Sequence, residues 1–341
     1  MKSTLGKRAL KLGIVFLLLV LLAVAAAWQF MYRQGQPMDP NDQVMIEVRI
    51  PQYSTAHSVA AILIEKGLIR DERIFLAYCY WQSHEKDLQA GLYDFSKSQS
   101  LDQIIQQVVE GKVKQMMFTI PEGYTVRQIS ELLVKNGICS PEQWQAAVQA
   151  NYDYPFLQSG ITDREKRLEG YLYPDTYTFE DETGAEAIIN MMLTRFARVW
   201  DDNFKSQAQA RQLQVGRVIT VASLIEREAQ VAEERKRIGG VIYNRLQKGM
   251  PLQIDASVIY ALGEHRETVT YQDLEIDSPY NTYKRTGLPP GPIASPGRAA
   301  IEAAVNPELH NYYYYVAKGD GSHQFSATYL EHLEAVRKYG K

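Results

Sequence analysis

A chain of 341 residues with 37 Lys and Arg against 40 Asp and Glu carries a formal net charge of −3. Residues 1–40 hold five of the basic groups and one acid, a net +4, which leaves −7 on residues 41–341. So mildly acidic a body lacks the clustered positive charge that nucleic acid demands, and a nucleic-acid partner is excluded.

The first element is apolar. Leu12–Trp28, "LGIVFLLLVLLAVAAAW", runs 17 residues without a charge or amide, and Phe30, Met31 and Tyr32 extend it, enough for one membrane span. Lys2, Lys7, Arg8 and Lys11 precede it and only Arg33 follows closely. The positive-inside bias therefore predicts a cytoplasmic tail over 1–11, a transmembrane helix over 12–32 and an exported body. A cleavable signal peptide is the alternative, since "AVAAAW" offers small residues, but an h-region is usually only about 7–15 residues long. Beyond the span lie about 300 residues, enough for two domains or for one with a satellite.

An internal repeat organises the chain beyond the span. "IPQYSTAHSVAAILIEKGLI" (Ile50–Ile69) and "IPEGYTVRQISELLVKNGIC" (Ile120–Cys139) align without gaps at an offset of 70. Each reads as a strand, a Pro-containing turn and an amphipathic helix stopped by glycine. Between them lie "AGLYDF", with strand character, the capped helix "SLDQIIQQVVEG" and the strand "VKQMMFTI". A small α+β module is predicted over 44–119, with the second copy opening a domain over 120–339. Modules of this size resemble the LysM-like class that lies on cell-wall glycan; a spacer holding a catalytic domain off the membrane accounts for the periodicity equally well.

From Ile120 the pattern is mainly helical, with amphipathic stretches at Ala185–Gln209, Arg217–Ala229 and Glu233–Lys248. Cys79 and Cys139 sit in apolar helical patterns and read as buried thiols rather than a disulfide. The six histidines show no i, i+4 pair and no Cys-x-x-Cys beside them, so no metal site is indicated. Near the end, "YYYYVA", "GDG" and "HQFSA" read as a β-hairpin before a helix over Tyr329–Tyr339. Of Tyr312–Tyr315 only alternate rings share a face, which predicts that half of them are core.

One helix carries an anomaly. In "TVASLIEREAQ" (Thr220–Gln230) the apolar residues Val218, Ile219, Val221, Ala222, Leu224, Ile225, Ala229 and Val231 fill one broad arc, and both Glu226 and Glu228 fall inside it. Thr220, Ser223 and Arg227 take the other side. A carboxylate against apolar walls loses hydration, which raises its pKa toward the range useful to a general acid. A buried ion pair with Arg217, Arg235 or Arg245 is the bland alternative, and the pattern does not choose between the two glutamates.

Three segments after that helix, "PLQIDASVIYALG" (Pro251–Gly263), "SPYNTYKRTGLPPGPIASPG" (Ser278–Gly297) and "AAVNP" (Ala303–Pro307), read as loop-rich. Pro289, Pro290, Pro292 and Pro296 stiffen the second, which suits either a groove wall or a structural loop on the helical core. Gln253, Asp255, Asn281 and Tyr283 supply amide, carboxylate and hydroxyl groups beside aromatic faces, a composition suited to sugars.

Taken in order and spacing, "LEGYLYPDTY" (Leu168–Tyr177), "ASLIEREA", "VIYNRL", "MPLQIDASVIYALG", "YNTYKRTGLPPGPIASPG" and "NP" resemble the YceG-like family of endolytic murein transglycosylases over roughly residues 45–338. The resemblance implies an α+β protein with a single membrane anchor, a LysM-like subdomain and a larger, mainly helical catalytic domain. It implies an inner-membrane enzyme facing the periplasm that needs no cofactor, acts on peptidoglycan strands and works beside the peptidoglycan synthases. It places the catalytic glutamate on Glu226, and adds Glu169 and Tyr260 to Gln253, Asp255, Asn281 and Tyr283 as substrate-binding candidates. Tyr53 departs from the family at a position where many relatives have glycine, and "DASV" replaces "DPTV" or "DATV", keeping Asp255 and a hydroxyl at Ser257.

The implied reaction cleaves the β-1,4 bond between N-acetylmuramic acid and N-acetylglucosamine without water, the muramoyl C6 hydroxyl closing onto C1. One acid suffices. Glu228 lies about 200° round the helix from Glu226 and reads as structural, paired with an arginine. Asp255 is the other acid that could approach, which keeps a muramidase-type hydrolase open beside a non-catalytic wall-binding adaptor.

Overall fold

The computed structural model describes residues 2–157, 161, 163–181, 183–264, 266 and 268–340, with side chains described from residue 13 onward. The chain divides into two compact units: Met1–Met116 with Phe179–Glu182, and Met117–Thr178 with Thr183–Lys341. The architecture is α+β, with one apolar N-terminal helix and a mostly helical body.

In the first unit α1 (Lys2–Gln34) contains Gly13–Gln34, a 22-residue stretch long and apolar enough to cross a membrane. The Gly35 carbonyl after it accepts from the Leu101 N–H at 3.0 Å, and Trp28 meets Trp81 edge-on at 5.9 Å. Then come β1 (Met45–Ile50), α2 (Ala56–Glu65), α3 (Glu72–Trp81), β2 (Gly91–Ser96) and α4 (Leu101–Val109). β1 and β2 pair antiparallel with Val48 opposite Tyr93. Val48, Ile50, Phe75, Tyr93, Phe95, Ile104 and Ile105 close the core between that ribbon and the helices.

β3 (Gln115–Thr119) and β4 (Thr176–Glu180), which pair, each run across the division, and the second unit also holds α5 (Val126–Lys135), α6 (Pro141–Gln149), α7 (Arg164–Leu168) and α8 (Ala185–Asn203). The remainder is α9 (Lys205–Ala210), α10 (Val215–Glu228), α11 (Arg235–Gln247), α12 (Asp255–Leu262), α13 (Arg298–Val305), β5 (Tyr314–Ala317), β6 (His323–Ser326) and α14 (Tyr329–Tyr339). α10 is the central element, packed against α9, α11, α12 and α13.

The two repeat copies build the same local structure. Thr55 and Thr125 cap their helices at ψ 163° and 162°, each accepting from the N–H three residues on, and Gly67 and Gly137 end them at φ 67° and 68°. The turns before them also correspond. Gly123 sits at φ 77°, and its counterpart Tyr53 is held at φ 62° with its ring 98% exposed. A left-handed turn is thus built into both copies, and the first bears a strained non-glycine residue there.

Several expectations need correction. Cys139 is buried and free like Cys79, but lies past the end of α5 rather than on a helix. The stretch 185–209 breaks at Phe204. The segment Pro251–Gly263, read as loop-rich, contains the eight-residue helix α12, and Ala303–Pro307 opens with the last three residues of α13. Thr220 and Ser223 do not face away from the core, because helices surround α10: their hydroxyls bond the carbonyls of Gly216 and Thr220, and both residues are buried. Of Tyr312–Tyr315 none is fully buried. The ribbon lies against α14, and each ring finds its own partner, such as Phe325 for Tyr312 and Lys248 for Tyr313.

Candidate active site

The last turn of α10 emerges from the core carrying Glu226, Arg227 and Glu228. Apolar residues from Val218 to Ile225 fix the helix, so the position of Glu226 follows from packing that a surface side chain does not have. A half-buried Glu226 lies under the Pro-rich segment, whose residues 291–297 are all buried. That segment is stitched down by backbone bonds. The Ile293 N–H donates to the Ser223 hydroxyl (3.0 Å), the Ser295 N–H to the Tyr124 carbonyl (2.8 Å), and the Gly123 N–H to the Ser295 carbonyl (2.8 Å). Its last residue, Gly297, donates its N–H to Glu226 Oε2 at 2.9 Å. The buried stretch 291–297 packs on the helical core, lends Ile293 to the wall of a cavity, and presents one amide to the acid.

Burial pushes the Glu226 carboxyl above the usual carboxylate range, and the charge of Glu122 adds to this; the Gly297 N–H, Arg235 and Arg227 oppose it. Among the described residues no ion pair joins Glu226 to an arginine. Arg235, whose charge reaches Glu226, has its buried Nε without a partner among the described residues. A raised, half-accessible acid beside one unsatisfied cationic donor is equipped to give up a proton and to meet an anionic or sugar ligand.

Glu228 departs from the same helix on another face. It accepts from the Tyr315 hydroxyl at 2.9 Å, and no arginine pairs with it among the described residues; His323 and Arg227 act on it only through their charge. Burial raises its carboxyl as well, and the charge of Asp255 adds to this. Asp255 therefore belongs to the neighbourhood of Glu228. As the first residue of α12 it accepts from the Tyr283 hydroxyl at 2.5 Å. The acid whose charge raises Glu226 is instead Glu122, in the turn of the second repeat copy, a position that no sequence signal singled out.

The other predicted residues separate into three groups. Glu169 and Tyr260 meet: the Tyr260 hydroxyl donates to Glu169 Oε2 and the Val126 N–H to Oε1, both at 3.1 Å. They line a cavity of about 520 Å³ together with Thr125, Arg227, Ile259 and Ile293. Glu226 is not in its wall, but the neighbouring Arg227 is. Gln253 is exposed at φ 54° and its side-chain oxygen accepts from Arg245 at 3.3 Å. Asn281 is fully buried, and its amide donates to the carbonyls of Leu274 and Ile276, both at 2.9 Å. Its side-chain oxygen accepts from the Tyr283 N–H at 3.0 Å, so it orders the loop that carries Tyr283.

Glu169 is 3% exposed, and burial pushes its carboxyl up to about 8. In the unfolded chain it ionises near its ordinary value of 4.5, so the folded state holds an extra proton between the two values, and this contribution to stability is lost as pH rises through about 8. Glu169→Gln is neutral throughout. Its thermal midpoint relative to wild type should therefore be more favourable at about pH 8.5 than at about pH 5.5. Equal differences at both pH values would show a carboxyl already ionised in the folded protein.

Residues 48–338, from β1 into α14, match the YceG-like family. A protein of Bacillus subtilis (strain 168), an endolytic murein transglycosylase, is 36% identical over 324 residues, 91% of this chain and 89% of its own. An endolytic murein transglycosylase of Streptococcus pneumoniae (strain D39) is 32% identical over 331 residues, which is 89% of this chain and 60% of the pneumococcal one. The 2.6 Å crystal structure of a YceG-like protein from Listeria monocytogenes shares 38% identity and a TM-score of 0.56, covering 85% of this chain and 99% of that one. With the match running through both units, the chain belongs to the YceG-like family.

Proposed function

We propose that the protein is an endolytic murein transglycosylase in which Glu226 is the acid that cleaves peptidoglycan strands. The observation that carries the assignment is the half-buried carboxyl of Glu226, held on one oxygen by the Gly297 N–H. Oε1 is then the oxygen that carries the proton. Protonation of the leaving O4 breaks the muramoyl C1–O4 bond and leaves a carboxylate that the Gly297 N–H stabilises. That carboxylate then takes the proton of the C6 hydroxyl as C6–O closes onto C1, giving a 1,6-anhydro end and restoring the acid. Neither water nor a second carboxylate enters the balance.

The apolar stretch of α1, with the basic residues before it, supports a single-pass anchor with the N-terminus cytoplasmic and the chain after α1 beyond the inner membrane. An anchored site meets newly made strands before mature wall, so cleavage there ends strand growth near the synthases. The first unit, a β-ribbon with packed helices, supports a LysM-like contact with glycan. The Glu169–Tyr260 cavity and Asp255 with Tyr283 are the places where the strand is held.

A second reading, a muramidase-type hydrolase, draws its support from Glu122, a second carboxylate beside the acid. Mass analysis of the products from purified glycan strands separates the two. The expected new ends are 1,6-anhydro sugars, one water lighter than hydrolytic ends; ordinary reducing muramic acid as the main product overturns the transglycosylase reading. The intact mass of the membrane-bound protein tests the anchor, since a form beginning near Trp28 would mark a cleaved leader.

A further inference from the structure

Glu122 stands in an arrangement that the single-acid mechanism does not use. Its carboxylate lies so close to Gly297 that a methyl group built there would overlap it. Gly297 is also the residue whose N–H holds Glu226. On the other side of the turn, a methyl group on Gly123 would touch the Cγ of Glu226 at 3.7 Å. The turn 122–124 and the segment 293–297 close over the acid, bonded to one another through Ser295, Gly123 and Tyr124. The Arg227 guanidinium adds a bond of 3.4 Å to the Gly123 carbonyl. Glu122 itself is exposed, so its place beside Glu226 owes nothing to burial of its own side chain.

We propose that Glu122 is a positioning residue for the cleavage reaction: docked on Gly297, its carboxylate keeps the proton on Glu226 until the strand is bound. The groups facing Glu226 form a balanced set. Arg227 on its own helix and Arg235 at the start of α11 draw the proton off, and so does the Gly297 N–H; Glu122 opposes them across the loop. Burial still raises the carboxyl without Glu122, but the amide and the two cations are then opposed by burial alone, and Glu226 gives up its proton at lower pH. The active form is the protonated acid, so the loss must grow as pH rises. The idea rests on Glu226 being the proton donor, and adds to it the device that keeps the donor loaded.

The test is the pH profile of kcat/KM for the full-length protein, reconstituted in detergent, on purified glycan strands. For Glu122→Gln, kcat/KM relative to wild type should fall at least about threefold further at about pH 8.5 than at about pH 5.5. Glu122→Asp, which restores the charge, should recover most of the alkaline rate. A ratio for Glu122→Gln that is the same at both pH values overturns the proposal, pointing to direct chemistry or to a structural role. An aspartate profile identical with that of glutamine also overturns it, because charge is then not what matters. Glu226→Gln, assayed alongside, keeps the two ideas apart. If it stays active, the assignment of the acid fails; if it is inactive while the Glu122→Gln profile keeps its shape, only the role of Glu122 fails.

Discussion

Glu226→Gln should leave a folded protein whose strand cleavage is reduced about 10²–10⁴-fold, the loss typical of removing a general acid. The glutamine oxygen still accepts from the Gly297 N–H, so the loop over the site keeps its bond. A neutral amide costs less to bury than a carboxylate, so the thermal midpoint should stay level or rise slightly. The control is Glu228→Gln on the same helix. Because the partner of Glu228 is the Tyr315 hydroxyl and not an arginine, glutamine supplies an equivalent acceptor. Activity should be largely kept and stability should change by less than about 1 kcal/mol. Both variants are read by product formation and thermal midpoint. A Glu228→Gln protein that is folded but dead, beside an active Glu226→Gln, would transfer the assignment to the other raised carboxyl.

How far the sequence carried can be seen at particular residues. The repeat was legible because its signals are local: a capping threonine, an apolar face and a terminal glycine are enough to build each copy, and the two copies agree to within a degree or so in ψ at their caps. α10 was legible as a helix for the same reason, but its surroundings were not. The wheel placed Thr220 and Ser223 opposite the apolar arc, and only the helices packed around α10 decide that this side is buried too. The bonds that define the site join Ser223 to Ile293 and Glu226 to Gly297, across 70 and 71 residues, and no periodicity records such a pairing. α12 and α13 were hidden by their shortness and their proline-rich flanks. Glu122 read as a turn residue of the second copy. Nothing local marked it, because its place beside Glu226 is set by the distant segment 293–297 that bonds to the turn.

Arg245→Leu should be the most destabilising single change near the site. Arg245 is 9% exposed and reaches four oxygens: Tyr313 carbonyl (2.6 Å), Pro251 carbonyl (3.1 Å), Leu252 carbonyl (2.8 Å) and Gln253 Oε1 (3.3 Å). Its guanidinium also lies 5.2 Å from the Tyr314 ring centroid. Burial lowers its pKa, with the surrounding tyrosines opposing that, so the charge is held at a desolvation cost that its hydrogen bonds offset. Leucine fills part of the volume but leaves one buried and two part-buried backbone carbonyls without their donor, which costs about 3–5 kcal/mol. Arg245→Lys should fall in between, because an ammonium cannot reproduce the fork. These bonds tie α11 to the residue just before β5 and to residues 251–253, which lead into Asp255 at the head of α12. Residual activity in Arg245→Leu should therefore be lost through KM as well as through stability. The measurement is a denaturant midpoint together with kcat and KM at a temperature where the variant is still folded. A variant that loses less than about 1 kcal/mol would show that water replaces the guanidinium and that this corner of the site is not dry.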